Sequence, residues 1–233
     1  MRVLARYLAD LLEFFYPTVC ITCGNRLVNQ EKYLCFDCWN DLPVTNFHVR
    51  SDNKAEQLFW GRIAIENATA FFIYKKGSKY RDLMHFIKYK GMKELGFEMG
   101  RRFGFILADS ERFKTVDIIT PVPLHPLKQK KRGYNQSEWI SKGISEAMKK
   151  PVTVNNLKRN IHTSTQTRKN RFERWENVEN IFGVIHPKEF EGKHVLLIDD
   201  VVTTGSTLEA CASQLLKIEK VKVSIATLGF ADI

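Results

Sequence analysis

Residues 195–207 read Val-Leu-Leu-Ile-Asp-Asp-Val-Val-Thr-Thr-Gly-Ser-Thr, and they restrict the fold more tightly than any other stretch. Val195, Leu196, Leu197 and Ile198 make an apolar run of the kind that forms a strand buried on both faces. Two acids, Asp199 and Asp200, follow it. Next comes a loop of small residues, Thr203, Thr204, Gly205, Ser206 and Thr207, and then Leu208, Ala212, Leu215 and Leu216 at helical spacing. A loop without bulky side chains lets backbone N–H groups converge on one point. The helix behind it adds unpaired N–H groups and the positive end of its dipole, which together make a phosphate cradle. Gly205 supplies left-handed backbone freedom, and the hydroxyls supply further donors. The carboxylates would be repelled by a phosphate, so they suit sugar hydroxyls with a divalent cation nearby. Phosphate, diol and metal side by side describe a phosphorylated ribose. A plainer alternative is a capped helix after a buried strand, but it leaves two adjacent carboxylates at the strand end unexplained.

This segment closely resembles the 5-phosphoribosyl pyrophosphate (PRPP) loop of type I phosphoribosyltransferases. The resemblance implies that Asp199 and Asp200 contact the ribose 2′ and 3′ hydroxyls. It implies that Thr203, Thr204, Gly205, Ser206 and Thr207 hold the 5′-phosphate, with Mg²⁺ accompanying PRPP.

A second motif lies near the N-terminus. Cys20, Cys23, Cys35 and Cys38 are spaced C-x2-C-x11-C-x2-C, with Gly24 placed for a tight knuckle. Four converging thiolates suit tetrahedral Zn²⁺, and four protein ligands saturate the ion, so the site reads as structural. An iron–sulfur cluster is a minor alternative, and two disulfides are a weaker one in the reducing compartment that paired cysteines suggest.

Between and beyond these motifs the chain alternates. Residues 2–15 carry an amphipathic helix pattern ending before Pro17, and residues 40–60 read as a linker. Residues 68–74 read as a strand. Ser78 is placed to cap a helix running to Lys88-Tyr89-Lys90-Gly91, and a further helix covers roughly 92–108. Residues 116–120 read as a strand, followed by a Pro-rich loop and a cationic stretch of Lys128, Lys130, Lys131 and Arg132 before Gly133-Tyr134. Such a cluster can bind phosphates, with Tyr134 available to stack on a base, although a basic loop of this kind is often only solvated. Asn135 or Ser137 starts a helix, residues 152–157 read as a third strand, 168–182 as a basic helix and 221–228 as the last strand. The polar run from Lys158 to Thr167 reads as a lid near the phosphate site. His194 reads as incidental and Cys211 as core. Strands alternating with helices imply an α/β fold, a mostly parallel sheet flanked by helices, with the cradle at the carboxyl end of its strand.

The formal net charge is +10, which favours polyanionic partners such as nucleic acid and suits a phosphate-rich substrate. Charged residues interrupt the N-terminal apolar pattern, no secretory signal is expected, and no stretch is long enough to span a membrane.

Taken together, the whole chain resembles the ComF family of competence-associated proteins, which combine a zinc-ribbon-like region with a phosphoribosyltransferase domain. The residues that carry this are the four cysteines, Pro121-Val122-Pro123, Arg132-Gly133-Tyr134-Asn135-Gln136, Leu157, Arg159, Thr163, Gln166, Glu173-Arg174, Asn177, Phe182 and the loop from Asp199. Ile161 and Lys169 depart from the family pattern, where an Arg and a Leu are expected. The resemblance implies a zinc-binding region over 1–45 and a type I phosphoribosyltransferase fold over 60–233. It further implies a role in natural transformation, with single-stranded DNA and a helicase-like ATPase as partners, in the cytoplasm or at the inner face of the cell membrane. Two other readings stay open. One is an active phosphoribosyltransferase acting on a base or amine, with Lys88 or Arg159 assisting pyrophosphate departure. The other is a scaffold whose loop no longer binds ligand.

Overall fold

A computed structural model describes residues 15–28, 30–75, 77–159 and 181–231. The expected helix over 2–15, apart from Phe15, lies outside these residues. So does the expected lid from residue 160 onward, with Ile161, Thr163, Gln166 and Lys169, and the basic helix as far as residue 180.

In chain order the helices are α1 (Phe36–Asn40), α2 (Lys54–Gln57), α3 (Arg81–Tyr89), α4 (Lys93–Ala108), α5 (Pro126–Arg132), α6 (Gln136–Met148) and α7 (Ser206–Leu215). The strands are β1 (Asn67–Tyr74), β2 (Ile118–Pro121), β3 (Leu157–Arg159), β4 (Phe182–Val184), β5 (His194–Val202) and β6 (Lys222–Ala231). Four of them form a parallel sheet in the order β1-β6-β5-β2. The two inner strands are the near-continuous apolar runs that burial on both faces demands.

Alternation along β5 divides the core. Leu196 and Ile198 join Leu83, Ile87, Met99, Phe103, Ile140 and Ile144 beneath α3, α4 and α6. Val195 and Leu197 join Leu208, Cys211 and Leu215 beneath α7. The same period of two sends Asp199 toward the α7 side and Asp200 toward the α3/α6 side.

Helices α4 and α6 approach closely because glycines face the contact. A methyl group at Gly100 would overlap the Ile140 carbonyl, and one at Gly143 would overlap the Phe97 carbonyl. At Gly104 the added atom would lie 2.8 Å from the Ala147 Cβ. Gly143→Ala is therefore expected to cost about 3 kcal/mol, the upper end for overpacking, read from the urea midpoint. An unchanged midpoint would mean that the helices separate without cost.

Several expectations need correction. Residues 40–60 are not a linker. The Ile73 N–H donates to the Pro43 carbonyl at 2.9 Å and the Thr45 N–H to the Phe71 carbonyl at 2.8 Å, so the segment adds to the β1 edge. Asn53 caps α2, its amide donates to three carbonyls, and Leu42, Ala55 and Phe59 are buried. The expected strand over 152–157 is broken. Only Val152 bridges to Ile119, and the chain then turns so that Leu157–Arg159 pairs antiparallel with Phe182–Val184. Phe182 accordingly belongs to a strand and not to a helix. Ser78 does not cap α3: Tyr80 holds the N-cap position and makes no side-chain cap bond. His194 is not incidental. It is buried, Nδ1 lies 2.8 Å from the Thr115 hydroxyl and Nε2 lies 2.8 Å from the Ser224 hydroxyl. Burial lowers its pKa, so it stays neutral as a cross-strand tie.

Candidate phosphoribosyl site and metal centre

The acid pair stands at the carboxyl end of β5, where parallel sheets bind ligands. Asp199 Oδ1 accepts from the Ser137 hydroxyl at 2.9 Å and from the Asp200 N–H at 2.8 Å. Asp200 Oδ2 accepts from the Gln136 amide at 2.7 Å, and its Oδ1 lies 3.0 Å from Lys88 Nζ. Burial, and then the Asp200 charge, push the Asp199 carboxyl up to about 7. Two carboxylates held side by side in this way favour the arrival of a cation or of hydroxyl donors.

The holders come from local chemistry. Gly133, at φ 84°, ends α5 in the left-handed conformation that glycine tolerates. The Tyr134 hydroxyl donates to the Ile87 carbonyl. The Asn135 side chain caps α6 and also donates to the Val122 carbonyl at 3.0 Å. That cap fixes the first turn of α6, and Gln136 and Ser137, both buried, are delivered to the acids. Sequence reasoning quoted Gln136 and Ser137 without giving either a role at the acids. Asn135 marks the helix start, but no local pattern points from Gln136 and Ser137 to acids 64 and 62 positions away.

Beyond the acids, Gly205 turns the loop at φ 76° and serves as the N-cap of α7, which has no side-chain cap. Thr203, Thr204, Ser206 and Thr207 are exposed, and the Thr204 and Ser206 hydroxyls lie 3.1 Å apart. The loop is braced from behind. Arg62 donates to the Thr204 carbonyl at 2.9 Å and pairs with Glu209, and the Phe59 ring packs under Gly205. An added Cβ at Gly205 would sit 2.9 Å from that ring. Gly205→Ala is thus expected to cost about 2 kcal/mol from the left-handed backbone alone, read from chemical unfolding. A midpoint equal to wild type would mean that the loop relaxes freely. Phe59 was missed because it lies in the segment that reads as a linker, and Arg62 because it falls between that segment and the first strand, where no motif marks it.

Of the catalytic candidates, Lys88 reaches the acid pair directly. Arg159 stands at the end of β3 with its guanidinium 5.4 Å from the Phe182 ring centre. Burial and the Asp199 charge push the Cys211 thiol up, and Arg159 pulls it the other way, so the three share one neighbourhood. Lys128, Lys130 and Lys131 are exposed on α5, and the Arg132 guanidinium stacks 5.2 Å from the Tyr89 ring. Tyr134 is partly buried and tied to α3, which leaves Tyr89 as the exposed ring beside the cations.

Near the N-terminus the four sulfurs of Cys20, Cys23, Cys35 and Cys38 lie within 4.8 Å of one another. The Cys23–Cys35 pair is 3.6 Å apart and none of the four is in a disulfide. A tetrahedral ion with Zn–S bonds of about 2.3 Å places its sulfurs about 3.8 Å apart, so the donor set fits. The Gly24 N–H donates to the Cys20 carbonyl at 2.8 Å and closes the first knuckle. The second pair is set by α1, which begins one residue after Cys35. Burial opposes ionisation of Cys20, but backbone donors from Cys23, Cys35 and Thr22 outweigh it and hold the thiol at about 6. Burial and the neighbouring thiols push Cys38 the other way. Sulfurs packed so closely share their charge best with a cation.

Residues 116–231 match a phosphoribosyl transferase domain and residues 11–48 match a double zinc ribbon domain. Competence protein F of Haemophilus influenzae is 37% identical over 49% of this chain and 51% of its own length. The DNA utilization protein YhgH of Escherichia coli strain K12 is 26% identical over 85% of this chain and 84% of its own. Competence protein ComFC of Bacillus subtilis is 33% identical over 43% of this chain and 38% of its own. The chain belongs to the ComF family. Its α/β domain has the type I phosphoribosyltransferase fold, and its four clustered cysteines form a structural zinc site. The chain spans about half the length of competence protein F. Although the ribbon match is to a double ribbon, residues 11–48 contain only four cysteines, so this ComF chain has ligands there for one ion. Among the described residues no helix is long and apolar enough to cross a membrane.

Proposed function

We propose that this ComF-family chain binds PRPP with Mg²⁺ and acts in natural transformation, assisting the import or handling of single-stranded DNA. The observation that carries the reading is a pair of adjacent carboxylates held in place by Ser137 and Gln136. They stand directly before a helix whose N-terminus has no side-chain cap and is ringed by exposed hydroxyls. In this reading Asp199 and Asp200 take the ribose diol and the ion, and Thr203, Thr204, Gly205, Ser206 and Thr207 take the 5′-phosphate. The relatives' names, competence protein F and DNA utilization protein, support the DNA role, as do the exposed lysines of α5 and the net charge of +10. The division into a zinc-binding region over 1–45 and a phosphoribosyltransferase-like domain over 60–233 belongs to the same proposal. So do a helicase-like ATPase as partner and a place in the cytoplasm or at the inner face of the cell membrane.

Calorimetric titration with Mg²⁺ and PRPP tests the first half, and absence of binding would overturn it. The pH dependence has a definite sign. The Asp199 carboxyl is raised to about 7, and the ion needs it deprotonated, so ligand binding releases a proton. Affinity should rise by up to about tenfold per pH unit below neutrality and level off above it. A flat profile would mean that Asp199 is already ionised in the free protein. The DNA half is tested by anisotropy of a labelled oligonucleotide across a salt series. Affinity should fall steeply with salt if phosphates are neutralised by lysine and arginine, and a flat series would remove the electrostatic account.

Lys88 beside Asp200 favours a second reading, in which phosphoribose is transferred to a base or amine. There the C1′–O bond to pyrophosphate breaks, the acceptor nitrogen bonds to C1′, and nearby cations offset the leaving group's charge. Steady pyrophosphate release with an acceptor would establish it, and none across a panel of bases and amines would discard it.

A further inference from the structure

A cleft of about 310 Å³ opens beside the acid pair, lined by Lys88, Tyr89, Gly91, Lys128, Lys131 and Arg132. It joins the C-terminal end of α3 to the cationic face of α5. Every ionisable residue of its lining except the tyrosine is a cation. Lys128, Lys131 and Arg132 have no carboxylate partner among the described residues. Arg132 Nη1 is buried without a hydrogen-bond partner. A buried guanidinium nitrogen left without an acceptor is costly, and the site that surrounds it selects for an anion. Tyr89 is 66% exposed at the rim. Arg132 stacks on the ring and holds it in place.

Cations around an exposed, braced ring are the two components of single-strand recognition, with phosphate held by charge and base held by stacking. We propose that this cleft holds one phosphate–base unit of single-stranded nucleic acid, with Lys88 shared between the cleft and the Asp200 carboxylate. The sharing follows from geometry. Lys88 lines the cleft, yet its ammonium lies 3.0 Å from Asp200 Oδ1. When a cation and a sugar diol occupy Asp200, that ammonium loses its partner and turns to the cleft, which gains a charge. Occupation of the acid pair therefore tightens the grip on the strand, and the effect is reciprocal. Only this coupling rests on the phosphoribosyl reading of Asp199 and Asp200; the cleft's own ligand does not.

The test uses the full-length, zinc-loaded protein at one fixed salt concentration. A 5′-labelled oligothymidylate is followed by anisotropy with wild type, Tyr89→Ala, Tyr89→Phe and Lys88→Met, and each is titrated with Mg²⁺ and PRPP in the calorimeter. Tyr89→Ala should weaken the oligonucleotide roughly five- to a hundredfold, the loss of one base–aromatic stack. Tyr89→Phe should stay within about twofold, because it keeps the ring. PRPP affinity should be the same in wild type and both Tyr89 variants. Saturating PRPP should tighten the oligonucleotide severalfold on wild type and leave Lys88→Met unchanged. An oligonucleotide affinity indifferent to Tyr89→Ala would overturn the proposal. So would a parallel loss of PRPP, which would assign the cleft to the pyrophosphate of PRPP itself, or equal competition by thymidine monophosphate per nucleotide, which would make the ligand a free nucleotide. If PRPP does not bind at all while the Tyr89 effect persists, the phosphoribosyl reading fails and the cleft assignment stands.

Discussion

The double variant Asp199→Asn/Asp200→Asn is expected to lose at least about a hundredfold in affinity for PRPP with Mg²⁺, an effect of roughly 3 kcal/mol or more from charge-assisted contacts. In the proposed reading both carboxylates face the ligand, and an amide neither attracts the ion nor accepts two hydroxyls as strongly. Gln136 and Ser137 remain to hold the replacements, so the fold should persist. The single change Asp199→Asn carries a second expectation with the opposite sign. An aspartate has an ordinary pKa of about 3.9 in an unfolded chain, and here burial and the Asp200 charge raise it to about 7. Between those values the folded state holds a proton that the unfolded state has released. Ionisation therefore lowers folding stability progressively as pH rises from about 4 to about 7, and the loss stays constant above that. Asparagine removes the penalty. The ligand-free variant should melt higher than wild type at pH 8, with the difference vanishing in acid. Calorimetry gives the affinity and a pH series of melting curves gives the stability. Unaltered PRPP affinity in the double variant would remove the acids from the ligand site. A lower melting temperature for Asp199→Asn at alkaline pH would mean that its contacts to Ser137 and the Asp200 N–H outweigh its burial.

The second large effect is expected at the zinc site. Cys38→Ser should reduce bound zinc, measured by elemental mass spectrometry, from one ion per chain to nearly none. Structural zinc contributes on the order of 10 kcal/mol to the folding of small ribbons, and this ribbon does not stand apart. Leu34, Cys35, Cys38 and Leu42 belong to the same apolar cluster as Leu83, Met99 and Phe103. The Tyr80 hydroxyl also donates to the Cys38 carbonyl at 3.3 Å, from just ahead of α3. Loss of the ion should therefore propagate into α3 and α4 and lower the melting temperature of the whole protein, not only of residues near the cysteines. Hydrogen exchange would locate the effect. Full retention of protection in α3 and α4 would mean that the ribbon unfolds alone. Iron in place of zinc, with visible absorbance, would convert the centre to a cluster.

What adjacency along the chain encodes, the sequence determined by itself. The strand, acid pair, loop and helix of residues 195–207 sit in the order in which they act, and Gly205 has the left-handed backbone that its place in the loop demands. The thiol spacing likewise fixes two knuckles, because each pair of ligands lies within one turn of chain. The parallel sheet followed from apolar runs alternating with helical ones. The tertiary structure decided who holds the acids and who supports the loop. Gln136 reaches Asp200 across 64 positions and Ser137 reaches Asp199 across 62. Lys88 pairs with Asp200 from the last turn of another helix, and Arg62 meets Thr204 from the turn just past the segment that reads as a linker. Residues 152–157 look like a strand because apolar content does not reveal whether a neighbouring strand offers more than one residue to pair with. Each of these contacts depends on common residue types brought together by packing, and packing depends on all the side chains at once. Local pattern fixes an element and the backbone it requires; which distant side chain satisfies a buried polar group is set only when the core closes around it.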